Sequence, residues 1–365
     1  MTKEPYRIGI VGGLKLPVNV KVFLENIERL LKNYQEKFEL DLIIREDSAS
    51  KLDGYNIYDP GFNRPSRALD MPVSVTRGTI KYVREYDPDV LFQITEFSSH
   101  GSAAVTAGRI SGTPTITRIA GDDFNEYQYS EGVSKAKVFA MRNILGRVPL
   151  SFSDAIIVLG SHVEQEVKKR GRKSGAQIVP QPIDTSQFRP VSSAECNRIR
   201  GELNINPNSR VLLSVGRLTP RKGMDDVVRA AKELKERGED FIWLLLGDGE
   251  LRDTLDSVPN VEPRGKISHE RIEHYYQAAD LFVHPSRIDG LPNVLLEATA
   301  CGTPSIARDI GECSTVATRV FEDSSDLTDI LVEEYDSVEL PDRFFNERLQ
   351  SEYGNLLVDV AEGNV

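Results

Sequence analysis

Residues 209–247 read SRVLLSVGRLTPRKGMDDVVRAAKELKERGEDFIWLLLG. The runs 209–216 and 241–247 are almost wholly apolar and each ends in glycine; a helical pattern over 223–237 separates them. Strands apolar along their whole length, joined by a helix, belong to a parallel sheet covered on both faces. The alternation continues C-terminally with helix 249–257, helix 268–278, strand 280–285, helix 292–301 and strand 304–307. N-terminally, strands at 6–11, 38–45, 89–94, 113–120, 155–159 and 176–180 alternate with helices at 18–34, 73–86, 100–110, a long helical region over 130–146, and 161–170. The polar stretch with Gly54, Pro60, Gly61 and Pro65 reads as a loop.

PQPIDTSQFRP (180–190) holds Pro180, Pro182 and Pro190 and has little helical pattern, so it reads as a linker. The expected fold class is therefore α/β, with two doubly wound, Rossmann-like parallel-sheet domains facing a central cleft. Their expected spans are 1–185 and 186–340, and a last helix within 341–365 is expected to pack back on the first domain. Ligands of open parallel sheets sit beyond the carboxyl ends of the strands. The loops 11–16, 95–101, 120–126, 216–223, 247–250 and 285–292 should line the site.

A chain of 365 residues is long for one core and comfortable for two. With 39% hydrophobic and 28% charged residues it has the composition of a globular protein. Lys+Arg is 45 against Asp+Glu 56, a net charge of -11, which argues against nucleic acid as a partner. The strongest apolar run, 241–246, has strand length, far short of a membrane span. The N-terminus enters a strand without a signal-peptide pattern. Cys196, Cys301 and Cys313 are too scattered for a disulfide framework or a metal site. A cytoplasmic location follows as the expectation.

In SVGRLTPRKG (214–223), Arg217 and Lys222 project from a strand's carboxyl end, where a pyrophosphate would gain charge-assisted bonds of about 1.5–3 kcal/mol each. A solvated basic loop is the plainer alternative. In DGLPNVLLEATACGTP (289–304), Pro292 suits a first helical position and Gly290 frees the backbone ahead of it. Unpaired N–H groups at a helix start attract anions. Glu297 lies in the second turn, where a carboxylate can accept two ribose hydroxyls; Asp289 would reach toward a sugar. Glu297 paired with a nearby base is the competing reading. Glycines in LLLGDGELRDTL (244–255) suit either a ligand's approach or a structural turn.

VLLSVGRLTPRKG, WLLLGDGELRDTL, VEPRGKISHERIEHYYQAADLFVHPS and DGLPNVLLEATACGTPSIA follow one another in the order and spacing of glycosyltransferase family 4. The second half resembles the donor domain of that family, whose fold is GT-B. SDAIIVLGSHVEQEV (153–167) and VPQPIDTSQFRP (179–190) match more loosely. The resemblance implies a retaining transferase in which Arg217 and Lys222 hold a nucleotide-sugar pyrophosphate and Glu297 binds the ribose. It implies that Asp289 contacts the transferred sugar, at a position where the family usually has Glu. It places Gly290, Leu291 and Pro292 near the phosphates, Lys266 and Ile267 beside the base, and Gly12 and Gly13 toward the phosphates from the first domain. Ala120 stands where the family commonly has His. Arg118, Asp122 and Asp123, with Glu96 and His100 on another loop, are the candidates to contact sugar or acceptor in its place.

No metal or other cofactor is expected; the nucleotide-sugar is a substrate. The expected partners are that donor and a glycan or lipid-linked acceptor. From 132 to 153 the chain has no Asp or Glu, and it carries Lys135, Lys137, Arg142 and Arg147. That stretch suggests docking on an anionic membrane, hence a peripheral place on its inner face. The competing classes are a nucleotide-sugar-binding scaffold with weak catalysis and a GT-B nucleotide-sugar epimerase. A nicotinamide dehydrogenase fits poorly, because strand 6–11 runs into GGLKLP rather than G-x-G-x-x-G.

Overall fold

The first unit is built from β1 (Tyr6–Gly13), α1 (Val18–Lys32), β2 (Phe38–Ile44), β3 (Asn56–Tyr58), α2 (Asp70–Tyr86), β4 (Val90–Gln93), α3 (Ser99–Ser111), β5 (Thr115–Ile119), α4 (Gly132–Phe139), α5 (Arg147–Phe152), β6 (Ala155–Val158), α6 (Ser161–Lys169) and β7 (Gln177–Ile178). The second holds α7 (Ser193–Glu202), β8 (Val211–Val215), α8 (Met224–Glu236), β9 (Ile242–Leu246), α9 (Arg252–Asp256), β10 (Val261–Gly265), α10 (Ile272–Ala278), β11 (Leu281–His284), α11 (Asn293–Ala300), β12 (Ser305–Arg308), β13 (Arg319–Phe321) and α12 (Leu327–Leu331). A final helix, α13 (Asn346–Ala361), belongs to the first unit: the division is Met1–Pro182 with Asn346–Val365, and Ile183–Phe345. This computed structural model describes residues 5–13, 18–32, 34, 38–45, 54–61, 70–129, 132–172 and 174–365.

The first sheet has the strand order β3-β2-β1-β4-β5-β6-β7 and is parallel throughout. Its strands are apolar on both faces because both are covered. Ile8, Ile10, Leu40, Leu42 and Ile44 enter one core with Phe23, Leu24 and Ile27 of α1. Val11 and Ile43, one residue out of phase, enter a second core with Tyr82 and Ala103. Helix α13 adds Leu349, Tyr353, Leu356, Leu357 and Val360 to the first of these cores. Burying such side chains contributes roughly 1.5–3 kcal/mol each before entropy is counted. Gly354 lets α13 come close, since a Cβ there would meet the Tyr34 ring at 2.6 Å.

The second sheet is also parallel, in the order β10-β9-β8-β11-β12-β13. Its core gathers Leu212, Val227, Ala230, Trp243, Leu245 and Val283, among others.

The structure departs from the sequence reading where hydrophobic patterning is weak. β3 lies in the stretch read as a loop; it is a mostly exposed edge strand of three residues. The expected single helix over 130–146 is α4, a π-helical turn at Ala140–Leu145, and α5 after Gly146. The strand β10 contains Pro263 and buries only Val261, as an edge position permits. Helix α7 is polar and its hydrophobic pattern is weak; it starts at the N-cap Ser192, whose Oγ accepts the Glu195 N–H at 3.2 Å. Strand β13 and helix α12 are three and five residues long, too short for periodicity to register.

Candidate functional site

In each sheet the chain reverses its direction of travel once. In the second unit β8, β9 and β10 run to one edge, and β11, β12 and β13 then fill the other side, so the switch lies between β8 and β11. In the first unit it lies between β1 and β4. The crevice beyond the carboxyl ends at such a switch is where doubly wound sheets bind ligands.

At the β8/β11 switch the loops following both strands meet backbone to backbone. Gly223 has φ +71, and a Cβ there would collide with the Pro285 carbonyl, so only glycine fits. Lys222, in the 3-10 turn just before it, brings Nζ to 2.6 Å from Asp289 Oδ2. His284, the last residue of β11, places Nε2 2.9 Å from the same oxygen. Burial opposes ionisation of Asp289, but the His284 hydrogen bond, the His284 charge and the Lys222 charge outweigh it. The carboxyl therefore titrates well below the usual range. Arg217 is exposed, and no carboxylate pairs with it among the described residues. The two cations read together in the sequence thus differ: Lys222 is tethered and Arg217 is not.

Glu297 lies within α11 and is 6% exposed. The Tyr276 hydroxyl donates to its Oε2 at 2.7 Å, and His269 Nε2 stands 3.4 Å from Oε1. Tyr276 itself is fully buried, and its phenol is pushed far above its ordinary range by burial first and then by the Glu297 charge. Gly290 and buried Leu291 precede the helix; the Gly290 carbonyl accepts the Glu312 N–H at 2.8 Å. Pro292 occupies the N-cap rather than the first helical position, which Asn293 takes. Lys266 is exposed and Ile267 half-buried, just past β10.

At the β1/β4 switch, β1 ends in Gly12 and Gly13, the latter at φ +75 with the His100 ring filling the space a Cβ would need. Thr95 Oγ1 donates to the Gly12 carbonyl at 3.2 Å and lies 2.6 Å from His100 Nδ1. A carbonyl only accepts, so the single Thr95 proton goes to it; Nδ1 then carries a proton for Thr95, which leaves Nε2 as a bare acceptor. That Nε2 is buried and has no partner among the described residues. Burial pushes the imidazole down to about 4, so it is neutral at pH 7. The rest of the 11–16 loop, from residue 14, lies outside the described residues.

The other first-unit candidates are occupied within their own unit. Arg118 is buried in β5; its Nη2 donates to Gln181 Oε1 at 2.8 Å and its guanidinium lies 3.9 Å over the Phe23 ring. Those partners hold Arg118 inside its own unit, and its buried Nε has no hydrogen-bond partner among the described residues. Arg142, in the π-helical turn, meets Glu126 at 2.9 Å, Glu96 at 3.0 Å and Asp123 at 3.4 Å. Burial still pushes Asp123 up to about 6, against the pull of Arg142. Asp122 accepts from Asn125 at 2.9 Å and faces His162 at 3.5 Å. Glu96 holds a left-handed φ of +41, unusual for a side chain of its length. Arg142 is thereby taken out of the basic face expected over 132–153. Exposed Lys135, Lys137 and Arg147 remain on it, beside Val133, 88% exposed, Ile144, 63%, Phe152 and Phe139.

His284, Tyr276, His269 and Thr95 were not singled out in the sequence. His284 and His269 stand in plain view in the matching segment, but a histidine by itself carries no pairing information. Their roles come from strand and helix neighbours far along the chain.

Two doubly wound parallel sheets in one chain, with these switch-point sites, constitute the two-domain α/β fold termed GT-B. Residues 196–343, almost the whole of the second unit, match the family model described as "Glycosyl transferases group 1". The putative teichuronic acid biosynthesis glycosyltransferase TuaC of Bacillus subtilis (strain 168) is 28% identical over 245 residues, 66% of this chain and 59% of that protein. Alignments with the curated relatives span about half of those proteins' lengths: 59%, 45% and 49% in three cases. Among solved structures, the sucrose-phosphate synthase of Thermosynechococcus elongatus superposes with a TM-score of 0.76 at 19% identity, covering 99% of this chain and 98% of that one. Anabaena Alr3699/HepE in complex with UDP-glucose gives 0.69 at 15%, covering 98% of each.

Proposed function

We propose that the protein transfers a sugar from a nucleotide-sugar donor to a hydroxyl acceptor with retention of anomeric configuration. The observation that carries the reading is the β8/β11 switch, where Lys222 meets Asp289 just ahead of α11, the helix that holds the buried carboxylate Glu297, and Arg217 follows β8. Arg217, Lys222 and the start of α11 suit a diphosphate and Glu297 suits a ribose diol. The match of 196–343 to a glycosyltransferase family model and the UDP-glucose bound by a GT-B neighbour support the same reading.

In the proposed step, the bond between the sugar's anomeric carbon and the diphosphate oxygen breaks as the acceptor oxygen bonds on the same face. The acceptor's proton passes to the departing phosphate. The protein's work is to hold the donor and to stabilise the charge developing on the leaving group. Arg217 and Lys222 do this through phosphate oxygens, aided by the N–H groups of Gly290 and Leu291. Lys266 and Ile267 border the base. Asp289 is the proposed side-chain contact to the transferred sugar on the second unit; His100, Glu96, Asp122 and Asp123 are the first unit's candidates for sugar or acceptor contact.

The acceptor is proposed to be a lipid-linked or cell-surface glycan precursor, met by a cytoplasmic enzyme resting on the inner membrane face. Among the described residues no helix is long and apolar enough to cross a membrane. Helix α4 buries none of its residues, and the exposed Val133, Phe139, Ile144 and Phe152 lie among Lys135, Lys137 and Arg147, which supports surface docking.

The test is incubation with a panel of UDP-, GDP- and ADP-sugars and membrane extract, with mass spectrometry for product and the anomeric coupling constant read by NMR. Transfer with the donor's configuration supports the proposal. Inversion refutes retention, and epimerised donor without transfer refutes the transferase reading.

A further inference from the structure

We propose that His284 is a positioning residue for diphosphate binding: it keeps Asp289 compensated when Lys222 leaves that carboxylate for a phosphate oxygen. The inference rests on the nucleotide-sugar reading of the β8/β11 site and adds to it a residue with no assigned part.

Both contacts end on one atom. Lys222 Nζ is 2.6 Å from Asp289 Oδ2, and His284 Nε2 is 2.9 Å from it. An imidazole nitrogen facing an ionised carboxylate carries a proton, so His284 donates here whether the ring is neutral or charged. The two donors differ in freedom. Lys222 reaches in on a flexible four-carbon arm from a short turn. His284 is a buried strand residue paired with Ala307, its ring lying nearly parallel to that of Phe282. Lys222 can swing away; His284 cannot.

A phosphate that draws Lys222 off Asp289 leaves a largely buried carboxylate behind. Uncompensated, such a charge is costly. The His284 N–H is the compensation that stays, so the lysine is released at lower cost. Without His284, Oδ2 belongs to Lys222 alone, the pair tightens, and the lysine becomes less available to the ligand. The arrangement also gives Asp289 a restraining part: its charge opposes the incoming anion until Lys222 and His284 divide between the two.

The test is calorimetric titration of the full chain and its variants with UDP, GDP and ADP, together with donor KM and kcat and a melting curve for each protein. His284→Ala should weaken binding of the accepted diphosphate about tenfold, the equivalent of ~1.4 kcal/mol. Donor KM should rise with little change in kcat. His284→Gln, whose amide N–H can reach Oδ2, should stay within about threefold of the parent, as one charge-assisted bond retained. Asp289→Asn should bind the diphosphate more tightly, and on that background His284→Ala should have no further effect. Unchanged binding in His284→Ala overturns the proposal. So does an equal loss with and without Asp289→Asn, because the histidine would then act through packing. If the parent chain binds none of the three diphosphates, the nucleotide-sugar reading falls first and carries this one with it; if it binds and His284→Ala matches it, only the His284 role falls. Should His284→Ala fail to fold, His284→Gln and Asp289→Asn decide: the first must bind normally and the second more tightly.

Discussion

The Tyr276 hydroxyl on α10 donates to Glu297 Oε2 on α11 across 2.7 Å, with both side chains buried. One carboxylate oxygen is thereby fixed from beneath and the other, Oε1, is left toward His269. Tyr276→Phe removes the donor and leaves a buried carboxylate oxygen short of a partner, a loss of about 1.5–3 kcal/mol in stability. Donor KM should rise at least several-fold as Glu297 loses its fixed position. A lower melting temperature with an unchanged donor KM would show that Glu297 does not bind the donor.

Arg217 and Lys222 should fail differently when removed. Arg217 has no carboxylate partner among the described residues, so Arg217→Ala should chiefly raise donor KM, by about tenfold for one charge-assisted bond. Lys222 holds phosphate from binding onward and its hold strengthens as charge develops, so Lys222→Ala should raise donor KM and also lower kcat by about two orders of magnitude. Steady-state kinetics with the accepted donor separate the two. A normal kcat for Lys222→Ala removes the lysine from leaving-group stabilisation.

The His100 environment makes stability depend on pH. Its folded pKa is pushed down to about 4 from an ordinary 6.5. Between those values the unfolded chain binds more protons than the folded one, so this contribution is complete above about 6.5 and is lost as pH falls toward 4. Its size is of order 3 kcal/mol. Asp123, pushed up to about 6, acts with the opposite sign between its ordinary value and 6. Comparison of the parent with His100→Asn isolates the histidine: urea denaturation from pH 7 to 4.5 should show the smaller slope in the variant. Parallel slopes would mean that His100 is not buried neutral.

Gly13 and His100 are coupled by space. Gly13→Ala forces a side chain into φ +75 and into the imidazole ring. A left-handed alanine costs roughly 1–2 kcal/mol and overpacking a further 1–3. His100→Gly on the same chain should recover the second part but not the first, as read from melting temperatures. No recovery would place the ring elsewhere.

The basic face of 132–153 divides in the structure. Lys135→Glu, Lys137→Glu and Arg147→Glu together should abolish flotation with anionic vesicles at low salt while leaving the melting temperature within a few degrees. Arg142→Ala should instead destabilise the fold, since it strips the shared partner from Glu96, Asp123 and Glu126. Flotation equal to the parent's in the triple variant would discard the membrane surface.

Most of the architecture was legible in the chain because it is written locally. Apolar runs such as 211–215 and 242–246, set between amphipathic stretches such as 224–236, can satisfy their backbones and bury both faces only as parallel strands under helices. The places of Arg217, Lys222 and Glu297 were legible too, since the first two follow a strand end and the third lies in a helix that local pattern locates. Short or polar elements escaped: β3, α7, β10 and β13 bury too little for periodicity to speak.

What only the tertiary structure decided is which charges are already taken. Nothing local distinguishes tethered Lys222 from Arg217, which no carboxylate pairs among the described residues, or Arg142 turned inward from Lys137 left outside. Asp289 lies 67 positions from Lys222, and Glu96 lies 46 from Arg142. Such pairs form because sheet order, not chain order, sets which loops meet, and the energy of a charge depends on what stands within a few ångströms of it.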